Sequence, residues 1–518
     1  MPMPTLEMIL LLIAASLLLT LAANRLRVPP AVMLVLGGMA LAFIPGLPTV
    51  ELEPELALAL FLPPLLQASA LRTDWGEFRS NIVFIILLAF GAVLFTAAAV
   101  AVVARELIPG LGWPAAVTLG AIVAPPDAVA ATSVLKRFKL PKRIVAVLEG
   151  ESLINDASAL VLYRIAVAAT LAGAFRLDGL LASFLLPAVL GIGVGLAAGM
   201  AANWAMLHLE DRFLEIVASF LAAFLSYLAA EWLGGSGVLG AVACGGLIGR
   251  AQLKLAARTR LETNSAWELV EFVLSSLVFL IVGLQLRGIV SRLTDYPTTE
   301  LLVLAGAVSA VLIVSRFAWV FLTFYPASAL VAVIRGGSFT PPLSYPTIIS
   351  WSGMRGVVSL AAALALPAAF AERDIIIFLA FCAIFSTLVV QGTTLKLLIG
   401  WFDIRDPAIA AVTPETVAAR EMVAAAIAGV IPGADGVDAA VARYRQRQAA
   451  SIGDALADRA LLEAFLDAKL RAIHQAREGL KAQRSDLDGE TLATLTQELD
   501  LEEEQIRLAM SRTTEDAV

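Results

Sequence analysis

Thirteen apolar stretches follow one another through the first 400 residues, and this pattern limits the fold more than any other feature of the sequence. They lie at about 6–24, 29–46, 55–71, 81–104, 115–135, 148–172, 178–207, 214–232, 236–249, 267–287, 300–324, 344–368 and 374–400. An apolar stretch of about 20 residues is long enough to cross the hydrocarbon core of a bilayer as a helix. Only 16% of the 518 residues are charged, whereas soluble globular chains carry about 25%. The sequence therefore predicts an all-α membrane protein with about 13 transmembrane helices.

Basic residues are distributed unevenly between the loops that join these segments. One set of alternate loops carries fifteen Lys and Arg residues, and the other set carries five. Because cytoplasmic loops are enriched in Lys and Arg, the first set is assigned to the cytoplasm. Arg25 and Arg27 follow the first apolar segment, which is not the pattern of a cleavable signal peptide. We expect a multi-pass protein of a bacterial inner (plasma) membrane, with its N-terminus outside and its C-terminus in the cytoplasm.

The sequence changes character after about residue 404. From Arg405 onward there are 13 Lys and Arg residues and 20 Asp and Glu residues, so this tail carries the whole formal charge of −7. Apolar residues recur at helical spacing between Leu461 and Ile473. We predict a transmembrane domain over 1–404 and a cytoplasmic helical domain or helical hairpin over 405–518. This tail serves either stability and assembly or regulation.

Several classes of chemistry find no support in the sequence. Cys244 and Cys382 lie in apolar runs, and His208 and His474 are far apart, so neither a disulfide framework nor a zinc site is expected. There is no Gly-x-x-x-x-Gly-Lys-Ser/Thr motif for an ATPase and no basic excess for nucleic acid. We expect no enzymatic activity and no cofactor.

Two prolines interrupt the fifth segment, which reads Ala124-Pro125-Pro126-Asp127-Ala128. Each proline removes an amide donor and clashes with the preceding turn, so a helix break is predicted here. Freed carbonyls at membrane depth are tolerated only beside protein or a water-filled cavity. Asp127 follows the break directly, and it is placed to cap the next half-helix, to bind a cation, or to do both.

The sixth segment carries polar residues on two faces of a single helix. Ser152 and Asp156 are four residues apart and share one face, whereas Glu151 and Asn155 share another. A hydroxyl and a carboxylate on one face offer the hard oxygen ligands that alkali or alkaline-earth cations prefer. A position at the lipid interface is the alternative for Glu151, but Asn155 and Asp156 lie deeper in the segment.

The twelfth segment predicts a second unwound point, since glycines flank an arginine in Gly353-Met354-Arg355-Gly356. An arginine at this depth needs a buried anion or the negative end of a half-helix, and Glu151 is the candidate anion for Arg355. Arg316 in the eleventh segment is either a second intramembrane cation or reaches the cytoplasmic headgroups. Breaks at corresponding places in two halves predict inverted repeats with two crossed discontinuous helices at the midplane.

Three motifs, in this order and at this spacing, resemble those of the NhaP/NHE branch of the monovalent cation:proton antiporter superfamily. They are Pro125-Pro126-Asp127-Ala128-Val129-Ala130, Gly150-Glu151-Ser152-Leu153-Ile154-Asn155-Asp156-Ala157 and Gly353-Met354-Arg355-Gly356. The likeness covers about residues 5–400. It implies a homodimeric secondary antiporter that exchanges Na⁺, or alternatively K⁺ or Li⁺, for H⁺, electroneutrally and by elevator-type alternating access. The dimerisation part would comprise about 1–71 and 214–287, and the core part about 81–172 and 300–400.

The resemblance also implies roles for single residues. Asp156 would carry the cation or the proton in turn, while Asp127 and Ser152 would help to bind the cation. Asn155 would steady the crossed helices, and Glu151 with Arg355 would form a structural ion pair.

Two positions depart from the family pattern. Pro126 stands where members often have Thr or Ser, which leaves only its backbone carbonyl as a ligand. Gln67 and Ala68 stand where many members have an aromatic residue and a glutamate, so a third, outer carboxylate is missing. These departures leave the coordination and the choice between Na⁺ and K⁺ open.

Exchange by such a site needs one buried carboxylate. Burial disfavours the charged form of a carboxylate and a nearby cation favours it, so Asp156 would hold a proton or a metal ion but seldom both. Two other functions compete with an antiporter. One is a cation channel with the same oxygen ligands, and the other is a non-transporting membrane sensor that signals through its tail.

Overall fold

The computed structural model describes most of the first 402 residues. The described ranges are 5–26, 28–44, 54–73, 75–127, 131, 135, 140–172, 180–209, 211–251, 257–293, 296–335 and 342–402, with 467, 470–471, 473, 501–503 and 505–507 in the tail. The chain divides into two compact units, Met1–Ile404 and Arg405–Val518. Most of the predicted tail domain lies outside the described residues, so its helical structure and its role stay predictions.

The described part of the first unit consists of helices and short connections, without strands. Its helices are α1 (Thr5–Leu26), α2 (Pro30–Ala42), α3 (Pro54–Arg72), α4 (Trp75–Ser80), α5 (Ile82–Leu107), α6 (Trp113–Val123), α7 (Lys142–Ala172), α8 (Leu180–His208), α9 (Arg212–Trp232), α10 (Gly237–Ala251), α11 (Ala257–Leu284), α12 (Leu286–Val290), α13 (Thr298–Arg335), α14 (Ser344–Trp351), α15 (Val357–Leu364) and α16 (Arg373–Phe402). Each predicted apolar segment overlaps at least one of these helices.

Eight of the described helices are long and apolar enough to cross a membrane. Their outward faces carry large apolar side chains, such as Leu225, Leu302 and Leu397, each more than half exposed. Such a surface suits hydrocarbon, because the helices satisfy their own backbone groups and present only apolar atoms to lipid. The predicted all-α membrane class is confirmed. The count of thirteen spans and the inverted repeats stay predictions.

Glycines bring α8 and α10 into backbone contact. A Cβ atom at Gly195 would collide with the backbone of Gly240, and one at Gly191 would collide with Ser236. Gly199, one turn further along, lies against Cys244. Small residues four apart let two membrane helices approach closely, and the packing that results replaces the hydrophobic drive that lipid does not supply.

Both predicted helix breaks are present. Helix α6 ends at Val123, and Ala124–Asp127 are not helical; the half-helix predicted after this break lies mostly outside the described residues. Helix α14 ends at Trp351 and α15 begins at Val357, so 352–356 are unwound.

Two π-helical turns, which sequence reasoning missed, lie within long helices. They are Leu87–Ala92 in α5 and Thr387–Gln391 in α16. The carbonyl of Leu87 accepts a hydrogen bond from Trp319 Nε1 at 2.9 Å, and that of Ala89 accepts one from Ser158 Oγ at 2.6 Å. Side chains of α13 and α7 thus donate hydrogen bonds to carbonyls of the first π turn. These bonds attach α5 to both helices.

The contact between α8 and α10 predicts different effects of two glycine substitutions in α8 on the melting temperature. Gly195→Ala forces two backbones apart and should lower the melting temperature in detergent, because overpacking costs about 1–3 kcal/mol. Gly193→Ala is the control, since a Cβ there meets no atom of the described residues within 4 Å. It should leave the melting temperature unchanged or raise it, and equal melting temperatures for the two variants would contradict the contact.

Candidate functional site

A narrow cavity of about 50 Å³ lies where the first break, α7 and α15 meet α3 and α11. Its lining residues are Phe61, Leu62, Leu65, Leu66, Ser69, Pro125, Pro126, Asp127, Ser152, Leu153, Asp156, Ser275, Phe279, Gly356, Val358 and Ser359. The polar side chains among them are two aspartates and four serines. The cavity therefore offers hard oxygen atoms and no soft ligand.

The cavity brings together the four residues that were predicted to bind the cation. Pro126, Asp127, Ser152 and Asp156 all line it. Asp156 is only 7% exposed, and Ser152 lies on the same face of α7, as their spacing predicted. Their roles in binding stay predictions.

Asp127 joins the two unwound segments. Its backbone amide donates a hydrogen bond to the carbonyl of Met354, at 2.7 Å. Its carboxylate lies directly against Gly356, the residue that precedes α15, where a Cβ would collide with it. Because the first amides of a helix lack carbonyl partners and carry partial positive charge, this position favours a carboxylate. Asp127 thus lies at the start of α15, on the other broken helix.

Asn155 attaches α7 to the first break. Its Nδ2 donates a hydrogen bond to the carbonyl of Pro126, at 2.8 Å, and the side chain is fully buried. This bond satisfies a carbonyl that the break leaves free. Asp127, the next residue after Pro126, lines the cavity together with Asp156.

Glu151 forms a buried ion pair with Arg316. The two guanidinium nitrogens Nη1 and Nη2 donate to the two carboxylate oxygens at 2.6 and 2.8 Å. Both side chains are at most 3% exposed, which excludes the lipid interface for Glu151 and the headgroups for Arg316. Arg316 also donates to the carbonyl of Ile349, at 3.1 Å from Nη2.

The predicted ion pair between Glu151 and Arg355 is therefore wrong. Arg355 donates from Nε to the carbonyl of Val123 at 2.5 Å and from Nη1 to that of Gly353 at 2.6 Å. Val123 is the last residue of α6, and its carbonyl belongs to the negative end of that half-helix. The sequence offered Arg355 either a buried anion or the negative end of a half-helix, and the structure shows the half-helix end.

The departures at positions 67 and 68 lie beside the cavity rather than in it. Gln67 is fully buried and donates from Nε2 to the carbonyl of Ser219 in α9, at 2.7 Å. Ala68 is buried at 1% exposure among apolar residues. Among the described residues, α3 thus contributes no carboxylate to the cavity.

Comparison with known proteins places the chain in a family. The model of the transmembrane sodium/hydrogen exchanger family matches residues 11–401. An uncharacterized Na⁺/H⁺ exchanger of Mycobacterium tuberculosis is 35% identical over 76% of this chain and 74% of its own length. The low-affinity Na⁺/H⁺ antiporter NhaS1 of Synechocystis is 31% identical over 77% and 75%.

Two further comparisons extend this picture. An antiporter of Bacillus subtilis, named for sodium, potassium, lithium and rubidium, is 33% identical over 71% of this chain and 57% of its own length. The structure of the sodium proton antiporter MjNhaP1 from Methanocaldococcus jannaschii matches with a TM-score of 0.58 at 19% identity, over 76% of this chain and 97% of that one. At this identity the structural match shows a shared fold.

The family match and the relatives named as antiporters identify a membrane transporter rather than an enzyme. The chain belongs to the sodium/hydrogen exchanger family, and the resemblance to its NhaP/NHE branch is confirmed.

The ion pair between Glu151 and Arg316 predicts which second substitution restores stability to a Glu151 variant. Glu151→Gln strands a buried arginine and should lower the melting temperature strongly, because breaking a buried pair costs about 3–5 kcal/mol. Adding Arg316→Met should recover part of that loss, whereas adding Arg355→Met should not. The melting temperatures of Glu151→Gln and of the two double variants in detergent measure this. Recovery with Arg355→Met but not with Arg316→Met would support an ion pair between Glu151 and Arg355 instead.

Proposed function

We propose that this chain is a secondary active antiporter that exchanges a monovalent cation for H⁺ across the plasma membrane, with Asp156 as the shared carrier. The observation that carries this proposal is the shared cavity of Asp127, Ser152 and Asp156 beside the Pro126 carbonyl. Two carboxylates in one small cavity repel each other when both are ionised, and either a proton or a metal cation relieves that repulsion.

Asp156 is the better of the two carboxylates for the carrier role. The Asp127 side chain lies against the start of α15, which stabilises its charge. By contrast, no residue in the described part of the chain donates a hydrogen bond to the Asp156 carboxylate, although the side chain is buried. A buried carboxylate that receives no hydrogen bond from the described residues is stabilised by a proton or by a cation, and this shared requirement couples the two ions.

The size of the cavity favours a cation that has lost most of its water. The cavity volume of about 50 Å³ is enough to hold at least one water. The cation then exchanges hydration oxygens for Asp127, Ser152, Asp156 and the carbonyl of Pro126. We propose Na⁺ as the main substrate, which the names of the Synechocystis and Bacillus subtilis antiporters both include, with K⁺ and Li⁺ as further substrates.

The two sides of the cavity differ in a way that supports elevator-type movement. The side formed by α3 is mostly apolar, through Phe61, Leu62, Leu65 and Leu66. The carboxylates belong to the opposite side, in the proposed core of about 81–172 and 300–400. A core that carries the ion can slide along apolar side chains, because these do not compete for the cation.

Stoichiometry, assembly and orientation complete the proposal. With Asn155 beside Asp156, one titrating carrier exchanges one proton for one cation, and transport is electroneutral. The parts at about 1–71 and 214–287 form a homodimer interface. The N-terminus lies outside, and 405–518 form a cytoplasmic domain that supports stability or regulation. Exchange of this kind contributes to pH homeostasis.

Asp156→Asn should abolish exchange, because an amide neither carries a proton nor balances a cation's charge. Purified protein in liposomes is exposed to Na⁺, K⁺ or Li⁺, and a fluorescent dye reports the internal pH. Asp374→Asn is the control, since this aspartate is about half exposed at the start of α16 and does not line the cavity. This variant should transport like the wild type.

Two results of this experiment would contradict the proposal. Cation-driven proton movement by Asp156→Asn at normal protein level would exclude Asp156 as the carrier. Proton flux without any counter-cation would indicate a channel instead of an antiporter.

Deletion of 405–518 separates transport from a sensor that works through the tail. The cavity and the family match both lie before residue 405, so the shortened protein should still exchange ions in liposomes. A folded, dimeric, but inactive shortened protein would favour the sensor.

A further inference from the structure

Ser359 is a buried polar residue in the cavity that neither the motifs nor the predicted site include. It is the third residue of α15, it is 2% exposed, and it lines the cavity with Asp127 and Asp156. Its Oγ is buried and has no hydrogen-bond partner in the part of the chain that the structure describes. Leaving a buried hydroxyl without a hydrogen bond costs free energy, so binding of a ligand by this oxygen would be favourable.

The position of Ser359 in its helix explains why its hydroxyl is free. Serines and threonines elsewhere in these helices donate to the carbonyl four residues earlier, as Ser350 does to Pro346 and Ser328 does to Phe324. Four residues before Ser359 is Arg355, which lies in the unwound segment before α15 begins. The usual partner is therefore missing because the helix is broken there.

The crossing of the two breaks brings this hydroxyl to the carboxylates. Gly356 contacts the Asp127 carboxylate, and Ser359 lies three residues further on, close to one turn of α15. Both residues line the same cavity. A glycine at 356 permits this approach, since any side chain there would displace Asp127.

We propose that Ser359 Oγ is a further ligand of the transported cation, an inference that rests on the proposed function. The cation would then be held by both broken helices, through Asp127 and the Pro126 carbonyl on one and Ser359 on the other. A neutral oxygen strengthens binding without adding a charge. It supplies a ligand in a chain that has Ala68 where relatives place an outer carboxylate.

The test compares the KM for Na⁺ and the maximal exchange rate of three variants in liposomes. Ser359→Ala removes the oxygen, and Ser359→Cys keeps the size but replaces a hard oxygen with a soft sulfur. Both should raise the KM about five- to tenfold, the effect of losing one good ligand interaction, with little change in the maximal rate. The Cys variant covers the case in which the Ala variant folds poorly.

Ser352→Ala is the matched control. Ser352 is 1% exposed, and its Oγ also has no hydrogen-bond partner among the described residues. It lies in the unwound segment that precedes α15, but it does not line the cavity. Its KM should stay within about twofold of the wild type, which on the free-energy scale of binding is a small change.

Three results would overturn the proposal: an unchanged KM for both Ser359 variants, a fall in the maximal rate alone, or an equal rise in KM for Ser352→Ala. These outcomes are distinct from a failure of the proposed function. That failure would appear as a wild-type protein without cation-coupled proton movement, or as exchange that survives Asp156→Asn.

Discussion

The hydrogen bond from the Asp127 amide to the Met354 carbonyl holds two unwound segments against each other, and the rest of the site depends on it. Hydrocarbon offers no water to satisfy a broken helix, so each freed backbone group needs a partner from the protein. Here Asn155 of α7 donates to the Pro126 carbonyl, and Arg355 of the second unwound segment donates to the carbonyl of Val123. Neighbouring segments thus satisfy backbone groups that the breaks leave free.

The buried charged residues near the two breaks fall into two groups, those with partners in the protein and Asp156. Glu151 and Arg316 neutralise each other, and Arg355 is surrounded by carbonyls. Asp127 lies at the positive end of α15. Asp156 has no comparable partner among the described residues, and it lines the cavity. In the proposed mechanism a proton and a cation compete for this carboxylate, while the other charges keep the helices in place.

Much of this arrangement could be predicted from the sequence, because prolines, glycines and spacing act locally. Pro125-Pro126 and the glycines around Arg355 predicted both breaks, and the four-residue spacing placed Ser152 and Asp156 together. The partner of Glu151 was predicted wrongly because two arginines on different segments compete for it, and only the packing of α13 against α14 decides. The π turn at Leu87–Ala92 and the free hydroxyl of Ser359 leave no local pattern, since both arise from contacts between helices.

Competition at Asp156 is tested most directly by counting the protons that purified protein releases when it binds Na⁺. Calorimetric titration in buffers of different protonation enthalpy gives this number. At a pH where the carboxyl is protonated before binding, we expect about one proton released per cation, as linkage at a single shared site requires. Na⁺ binding that releases no proton at any pH would contradict a shared carrier.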